Sequence, residues 1–75
     1  MKPIVRVAVI GGGAIGQRRH LPEYAANPNA EIAGVFDTDR QRAQELCRQY
    51  GGRAYERREE VFADETVDAV SVCSP

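Results

Sequence analysis

The sequence has little of what marks a nucleic-acid-binding, membrane or disulfide-rich protein. Its 75 residues carry a net charge of −1 and only 7% are aromatic, so it lacks the basic excess and the stacking surface that nucleic acids require. No apolar run approaches the roughly 18 to 20 residues that span a bilayer. The two cysteines, Cys47 and Cys73, are expected to be reduced and packed as small hydrophobic residues. We therefore expect a cytoplasmic protein with no nucleic-acid or membrane partner.

Four segments of the chain have the composition of β-strands. Ile4 to Ile10, Ile32 to Phe36 and Val67 to Cys73 are apolar and rich in β-branched residues, which is typical of strands buried on both faces of a parallel sheet. Arg53 to Tyr55 is predicted to be a further, short strand. Helical segments between them predict a doubly wound parallel α/β (Rossmann) sheet with its strands in the order 3-2-1-4, truncated after the fourth strand.

The second of the three predicted helices has the clearest pattern. Its apolar residues recur at i, i+3, i+4 and i+7 and form one stripe: Ala43, Leu46, Cys47 and Tyr50. Thr38 and Gln41 fit a capping box at its start, and Gly51 is placed to end it. The first helix is predicted to run to about residue 26, with a kink or an early break at Pro22. A short helix over 57–63 is expected to bury both its valine and its phenylalanine, Val61 and Phe62.

A glycine-rich turn follows the first strand and opens the first helix. In the pattern Gly11-x-Gly13-x-x-Gly16, the first glycine lets the chain turn out of the strand and the second leaves room for a pyrophosphate. The third allows the helix to pack closely on the strand. Unpaired N–H groups at the helix start would bind the phosphate. Such a motif is weak evidence alone, but the strand before it and the helix after it supply the required context.

Asp37 ends the second strand about 20 residues after the glycine turn, where the dinucleotide fingerprint expects an acid. Its carboxylate would accept hydrogen bonds from the adenosine ribose and repel a 2′-phosphate. Alternatively, Asp37 only caps the next helix together with Thr38 and Asp39. Arg40 and Arg42 could each approach a 2′-phosphate, although a place on the helix surface is favoured. We therefore predict NAD as the cofactor, with NADP as the second choice.

The other polar residues do not predict a catalytic or metal site. His20 is the only histidine, and a surface or packing role is favoured for it over chemistry. An acidic cluster near the third helix has no companion His or Cys at ligand spacing, so we predict no metal there: Glu59, Glu60, Asp64 and Glu65. The three tyrosines are expected to pack with their hydroxyls in water: Tyr24, Tyr50 and Tyr55.

Over its whole length the chain resembles the amino-terminal domain of the Gfo/Idh/MocA family, named for glucose–fructose oxidoreductase, inositol dehydrogenase and the rhizopine-catabolism protein. The resemblance rests on the first strand and glycine turn (7–16), on Arg19-His20-Leu21-Pro22, on 35–39 with Arg42-Ala43, and on 67–75. The glycine turn is shared with many families. The His-Leu-Pro run and the closing Cys-Ser-Pro are more particular to this one.

The resemblance implies an oxidoreductase in which a nicotinamide cofactor exchanges hydride with a hydroxyl-bearing carbon of a sugar, cyclitol or related polyol. It implies that the cofactor is held by Gly11, Gly13, Ala14, Ile15 and Asp37, and lined by Ser74 and Pro75. The family's Glu-Lys-Pro motif and its substrate domain have no counterpart in this chain, so no residue is assigned a catalytic role. We therefore expect residues 1–75 to be the incomplete dinucleotide-binding domain of a longer, homo-oligomeric enzyme, and to be inactive alone.

Two other functions fit the same glycine turn and acid. One is a non-catalytic module that senses NAD. The other is the Rossmann domain of a different dehydrogenase or reductase family, against which the His-Leu-Pro and Cys-Ser-Pro runs argue.

Overall fold

The computed structural model describes residues 4–11 and 21–72 of the chain. Its strands are β1 (Val5–Ile10), β2 (Ala30–Phe36), β3 (Arg53–Ala54) and β4 (Ala69–Val72). Residues 21–26 are helical (α1), and two further helices follow: α2 (Arg40–Tyr50) and α3 (Arg58–Ala63). Among the residues so described, no helix is long and apolar enough to cross a membrane.

The described strands form one parallel sheet in the order β3-β2-β1-β4, which confirms the predicted topology. β1 lies in the middle, and its last four residues, Val7 to Ile10, are buried. Parallel strands are joined by crossovers that place helices on the sheet faces, so a central strand is covered on both sides and is apolar without alternation. The continuous run of apolar residues in β1 therefore follows directly from its position.

Each face of the sheet has its own core. One cluster joins β1 and β2 to α1 and α2: Val9, Leu21, Ile32, Val35 and Ala43. The other joins β1 to the β3–α3 region: Ala8, Ile10, Tyr55 and Val61. The apolar stripe of α2 packs on the first core as predicted. Cys47 belongs to this stripe, where burial raises the pKa of its thiol.

The start of α2 differs from the prediction. Its N-cap is Asp39, whose carboxylate accepts a hydrogen bond from the Arg42 N–H at 3.2 Å, so the capping box predicted for Thr38 was wrong. The reason is the turn before the helix. The Asp39 N–H donates to the Asp37 carboxylate at 2.9 Å, so Thr38 lies within this turn and the helix is capped by Asp39, one residue later than predicted. The end of the helix is as predicted, since Gly51 donates its N–H to the Cys47 carbonyl at 2.8 Å.

In α3 the prediction was half right. Val61 is buried, but the Phe62 side chain is 66% exposed. Successive residues of an α-helix point about 100° apart, so a helix of six residues that turns Val61 toward the sheet turns Phe62 away from it.

Several boundaries differ from the sequence-based expectation: β1 starts at Val5 rather than at position 4, and β2 starts at Ala30 rather than at position 32. The first helix ends at residue 26, as predicted. Residues 21–26 are helical with Pro22 among them, so the helix continues past this proline; what precedes position 21 lies outside the described residues. β4 starts at Ala69 rather than at position 67, because the Val67 N–H binds the Asp64 carbonyl in a turn, at 3.2 Å. Cys73 also lies outside the described residues.

Candidate dinucleotide-binding site

Three neighbouring strands end at the same level. The register pairs Ile10, the last residue of β1, with Phe36 of β2 on one side and with Val72 of β4 on the other. In open α/β sheets, ligands bind beyond the carboxyl ends of the strands where the strand order reverses, which here is between β1 and β4. The geometry therefore marks one edge of this sheet as the candidate site.

Gly11 directly follows β1 at this edge. Its φ is +71°, a backbone conformation that residues with a Cβ rarely adopt, and its N–H donates to the Phe36 carbonyl at 2.7 Å. This bond holds Gly11 beside the end of β2. The first glycine of the motif therefore has the left-handed backbone conformation that the predicted turn requires.

Asp37 follows β2 at the same edge, next to Gly11. Only 5% of its surface is exposed, and one carboxylate oxygen accepts a hydrogen bond from the Asp39 N–H at 2.9 Å. This contact gives partial support to the capping alternative, although the cap of α2 itself is Asp39. A carboxylate offers about four acceptor positions, so the same group can hold this turn and also receive ribose hydroxyls.

The two arginines after Asp37 lie on the exposed surface of α2. The Arg40 guanidinium forms an ion pair with Glu56, with 3.0 Å between nitrogen and oxygen. Arg42 contributes its backbone N–H to the helix cap. The surface placement that the sequence favoured for both residues is what the structure shows.

The other residues predicted to hold the cofactor lie outside the described part of the chain: Gly13, Ala14, Ile15, Ser74 and Pro75. Their roles remain predictions, as does the placement of His20. By sequence, Ser74 follows β4 by two residues and Gly13 follows β1 by three. The structure thus brings together Gly11 and Asp37, the two predicted residues that it describes.

A hydrogen-bonded group near α3 was not foreseen. Tyr55 is buried, and its hydroxyl donates to the Asp64 carboxylate at 2.7 Å, so the expected wet hydroxyl was wrong for this tyrosine. Burial, followed by the bond to Asp64, raises the pKa of Tyr55 to about 12. Asp64 also accepts bonds from the hydroxyl and the N–H of Thr66, and these contacts lower its pKa to about 2.

Glu60, in the same acidic cluster, also has hydrogen-bond and ion-pair partners. One of its oxygens accepts the N–H groups of Glu56 and Arg57, both at 2.8 Å, and the other pairs with Arg53 at 3.2 Å. These contacts lower the pKa of Glu60, with the Arg57 N–H as the largest cause. Across residues 4–11 and 21–72, no group of three or more His, Cys, Asp or Glu could hold a metal ion.

Comparison with known proteins also identifies a dinucleotide-binding Rossmann fold. The Gfo/Idh/MocA family model, described as an oxidoreductase family with an NAD-binding Rossmann fold, matches residues 5–75. Over 71 residues the chain is 39% identical to UDP-N-acetylglucosamine 3-dehydrogenase from Acidithiobacillus ferrooxidans, a match that covers 95% of this chain and 21% of that protein. The chain spans about a fifth of the length of the curated relatives it matches.

Solved structures agree in fold. GenD2 from gentamicin A biosynthesis, in complex with NAD, is 33% identical with a TM-score of 0.88, covering 100% of this chain and 21% of that one. A mutant form of KijD10, a 3-ketoreductase from Actinomadura kijaniata in complex with TDP-benzene and NADP, is 33% identical with a TM-score of 0.89, covering 96% and 23%. The sheet order, the glycine turn, the acid after β2 and these matches lead to one conclusion: the chain belongs to the Gfo/Idh/MocA oxidoreductase family and forms part of its NAD-binding Rossmann fold.

Proposed function

We propose that this chain binds NAD(H) in preference to NADP(H), as the cofactor-binding part of an oxidoreductase acting on a hydroxyl-bearing carbon of a sugar, cyclitol or related polyol. The observation that carries the preference is the buried carboxylate of Asp37, beside the Gly11 turn at the carboxyl end of β2. The bound cofactor would accept hydride from that carbon, or deliver hydride to the corresponding carbonyl.

Asp37 would discriminate between the cofactors by charge and by hydrogen bonding. Its carboxylate can accept bonds from both hydroxyls of the adenosine ribose in NAD. In NADP a phosphate replaces one of these hydrogen-bond donors and brings like charge to the carboxylate. At about 4 Å and an effective dielectric constant of about 20, two like unit charges repel by roughly 4 kcal/mol. The Asp39 N–H holds the carboxylate in place before any cofactor arrives.

The substrate class is supported by the names of the relatives. One relative is named a UDP-N-acetylglucosamine 3-dehydrogenase and another a 3-ketoreductase. Dehydrogenation of a hydroxyl-bearing carbon and reduction of a ketone are the two directions of one hydride transfer. Oxidation at such a carbon transfers hydride to the nicotinamide and releases the hydroxyl proton. The cofactor preference, in contrast, has to come from this chain's own residues, because one neighbour was solved with NAD and another with NADP.

Binding titrations test the preference. The unchanged protein is expected to bind NAD at least about tenfold more tightly than NADP, and Asp37→Asn should narrow that ratio, since it keeps the size of the side chain and removes its charge. Asp39→Asn is the matched control, because asparagine is as good a helix cap as aspartate and lies outside the ribose contact. NADP binding as tight as NAD binding by the unchanged protein would refute the preference.

A substrate panel tests the reaction class. With the full-length enzyme, cofactor reduction is expected with at least one sugar, sugar nucleotide or cyclitol. Absence of turnover together with normal NAD binding would instead favour a module that only senses the dinucleotide.

A further inference from the structure

Glu56 lies at the same edge of the sheet as Asp37, one strand further out. The register pairs Val35 of β2 with Ala54 of β3, and each of the two acids follows its paired residue by two positions. The Tyr55 N–H still donates to the Val35 carbonyl, at 2.9 Å, so the chain remains bonded to β2 up to the residue before Glu56. The parallel register therefore places the two acids at the same level.

The Glu56 side chain is directed to Arg40, the first residue of α2. Its Oε1 accepts a hydrogen bond from Arg40 Nη2 at 3.0 Å, and both side chains are exposed. Arg40 comes three residues after Asp37, and the turn between them is fixed by the bonds of Asp37 and Asp39. Arg40 therefore directly follows the short turn that begins at Asp37, the acid proposed to bind the ribose.

Arginine is the side chain best suited to a phosphate, because its planar guanidinium donates two parallel hydrogen bonds. In Rossmann proteins an arginine near the acid position accommodates the 2′-phosphate of NADP. A guanidinium paired with a carboxylate has its positive charge largely balanced and its position restricted, and the carboxylate would add negative charge beside an incoming phosphate.

We propose that Glu56 is a specificity-determining residue that disfavours NADP(H) by holding the Arg40 guanidinium in an ion pair at the edge of the adenosine site. This inference rests on the proposed function, since it assumes that the adenosine ribose lies at Asp37. Glu56 is a positioning residue that acts through Arg40. An exposed ion pair of this kind changes an equilibrium constant by roughly twofold to fivefold, so the effect is expected within that range.

The test is a titration of NAD and NADP with Glu56→Gln, which retains the backbone N–H that binds Glu60. NADP affinity is expected to rise about twofold to fivefold, more at low salt than at high salt, while NAD affinity stays within twofold. The gain should disappear in the double variant Arg40→Gln, Glu56→Gln. Glu31→Gln is the matched control: Glu31 pairs with Arg6 at 2.9 Å in the amino-terminal half of β2, away from the site, and its loss should change neither affinity.

A second measurement keeps the test decisive if Glu56→Gln folds poorly. Arg40→Gln in the otherwise unchanged protein is expected to alter NADP affinity by less than twofold, because Glu56 already balances the charge of the guanidinium. A larger loss would overturn the inference, as would an unchanged ratio of NADP to NAD affinity in folded Glu56→Gln. Either result, with normal NAD binding by the unchanged protein, leaves the proposed function standing. If the unchanged protein binds neither dinucleotide, the proposed function itself fails.

Discussion

Replacing Tyr55 with phenylalanine should remove one hydrogen bond and leave the packing of the ring intact. The ring is 2% exposed, lies against Gly34, and has the Arg53 guanidinium 4.8 Å above its centroid. Phenylalanine preserves these contacts. What disappears is the 2.7 Å bond from the hydroxyl to the Asp64 carboxylate.

The expected loss of stability is about 1.5 kcal/mol. Hydrogen bonds to charged groups contribute about 1.5 to 3 kcal/mol, and the lower end applies because Asp64 keeps both of its bonds from Thr66. In a domain of this size, such a loss lowers the melting temperature by roughly 6 to 12 °C. Tyr50→Phe, in the half-buried tyrosine at the end of α2, is the control and should change stability by less than about 0.5 kcal/mol.

The pH dependence of this difference tests its cause. Because the pKa of Tyr55 is about 12 in the folded chain and about 10 when unfolded, its contribution is complete below pH 10 and is lost as the pH rises toward 12. Because the pKa of Asp64 is lowered to about 2, its contribution is complete above about pH 4 and is lost as the pH falls toward 2.

Urea unfolding of both proteins across this range is the measurement. The difference in unfolding free energy between Tyr55→Phe and the unchanged protein should be largest near neutral pH and should shrink at both extremes of pH. A gap that is absent at pH 7, or that stays constant from pH 10 to pH 12, would refute the assignment of the hydrogen bond.

Three further predictions have definite expected outcomes. Gly34→Ala should destabilise the fold by about 2 kcal/mol or more, because the new Cβ would meet the backbone carbonyl oxygen of Arg53; a urea midpoint close to that of the unchanged protein would contradict this. Asp39→Ala should cost about 1 kcal/mol of unfolding free energy as a lost helix cap, whereas Thr38→Ala should stay within about 0.5 kcal/mol, and equal losses would argue against Asp39 as the cap. Gly13→Val should abolish NAD binding in a titration, since a side chain there would fill the pyrophosphate space, and normal binding would place the phosphate site elsewhere.

The order of the elements and the chemistry of the site edge could be predicted from the sequence. Val7 to Ile10 are apolar without alternation, a pattern that is typical of a strand covered on both faces. Once strands and helices alternate, the right-handed crossover rule leaves few arrangements of the sheet. The position of Asp37 directly after a strand then fixes it at the carboxyl edge, beside the first glycine of the turn.

Contacts between segments distant in sequence could not be predicted. Nothing local distinguishes Tyr55 from the other tyrosines, and its buried hydroxyl depends on where α3 brings Asp64. Phe62 has the composition of a core residue, but the angle at which Val61 meets the sheet leaves it exposed.

The pairing of Arg40 with Glu56 shows the difference most clearly. Sequence alone places Arg40 three residues after Asp37, the acid predicted to bind the ribose, and predicts NAD with NADP as the second choice. The parallel register of β2 and β3 decides which carboxylate reaches that arginine. Local patterns are set by residues a few positions apart, because backbone geometry repeats over two residues in a strand and about 3.6 in a helix. A contact across strands depends on how two separate segments align, and that alignment exists only in the folded chain.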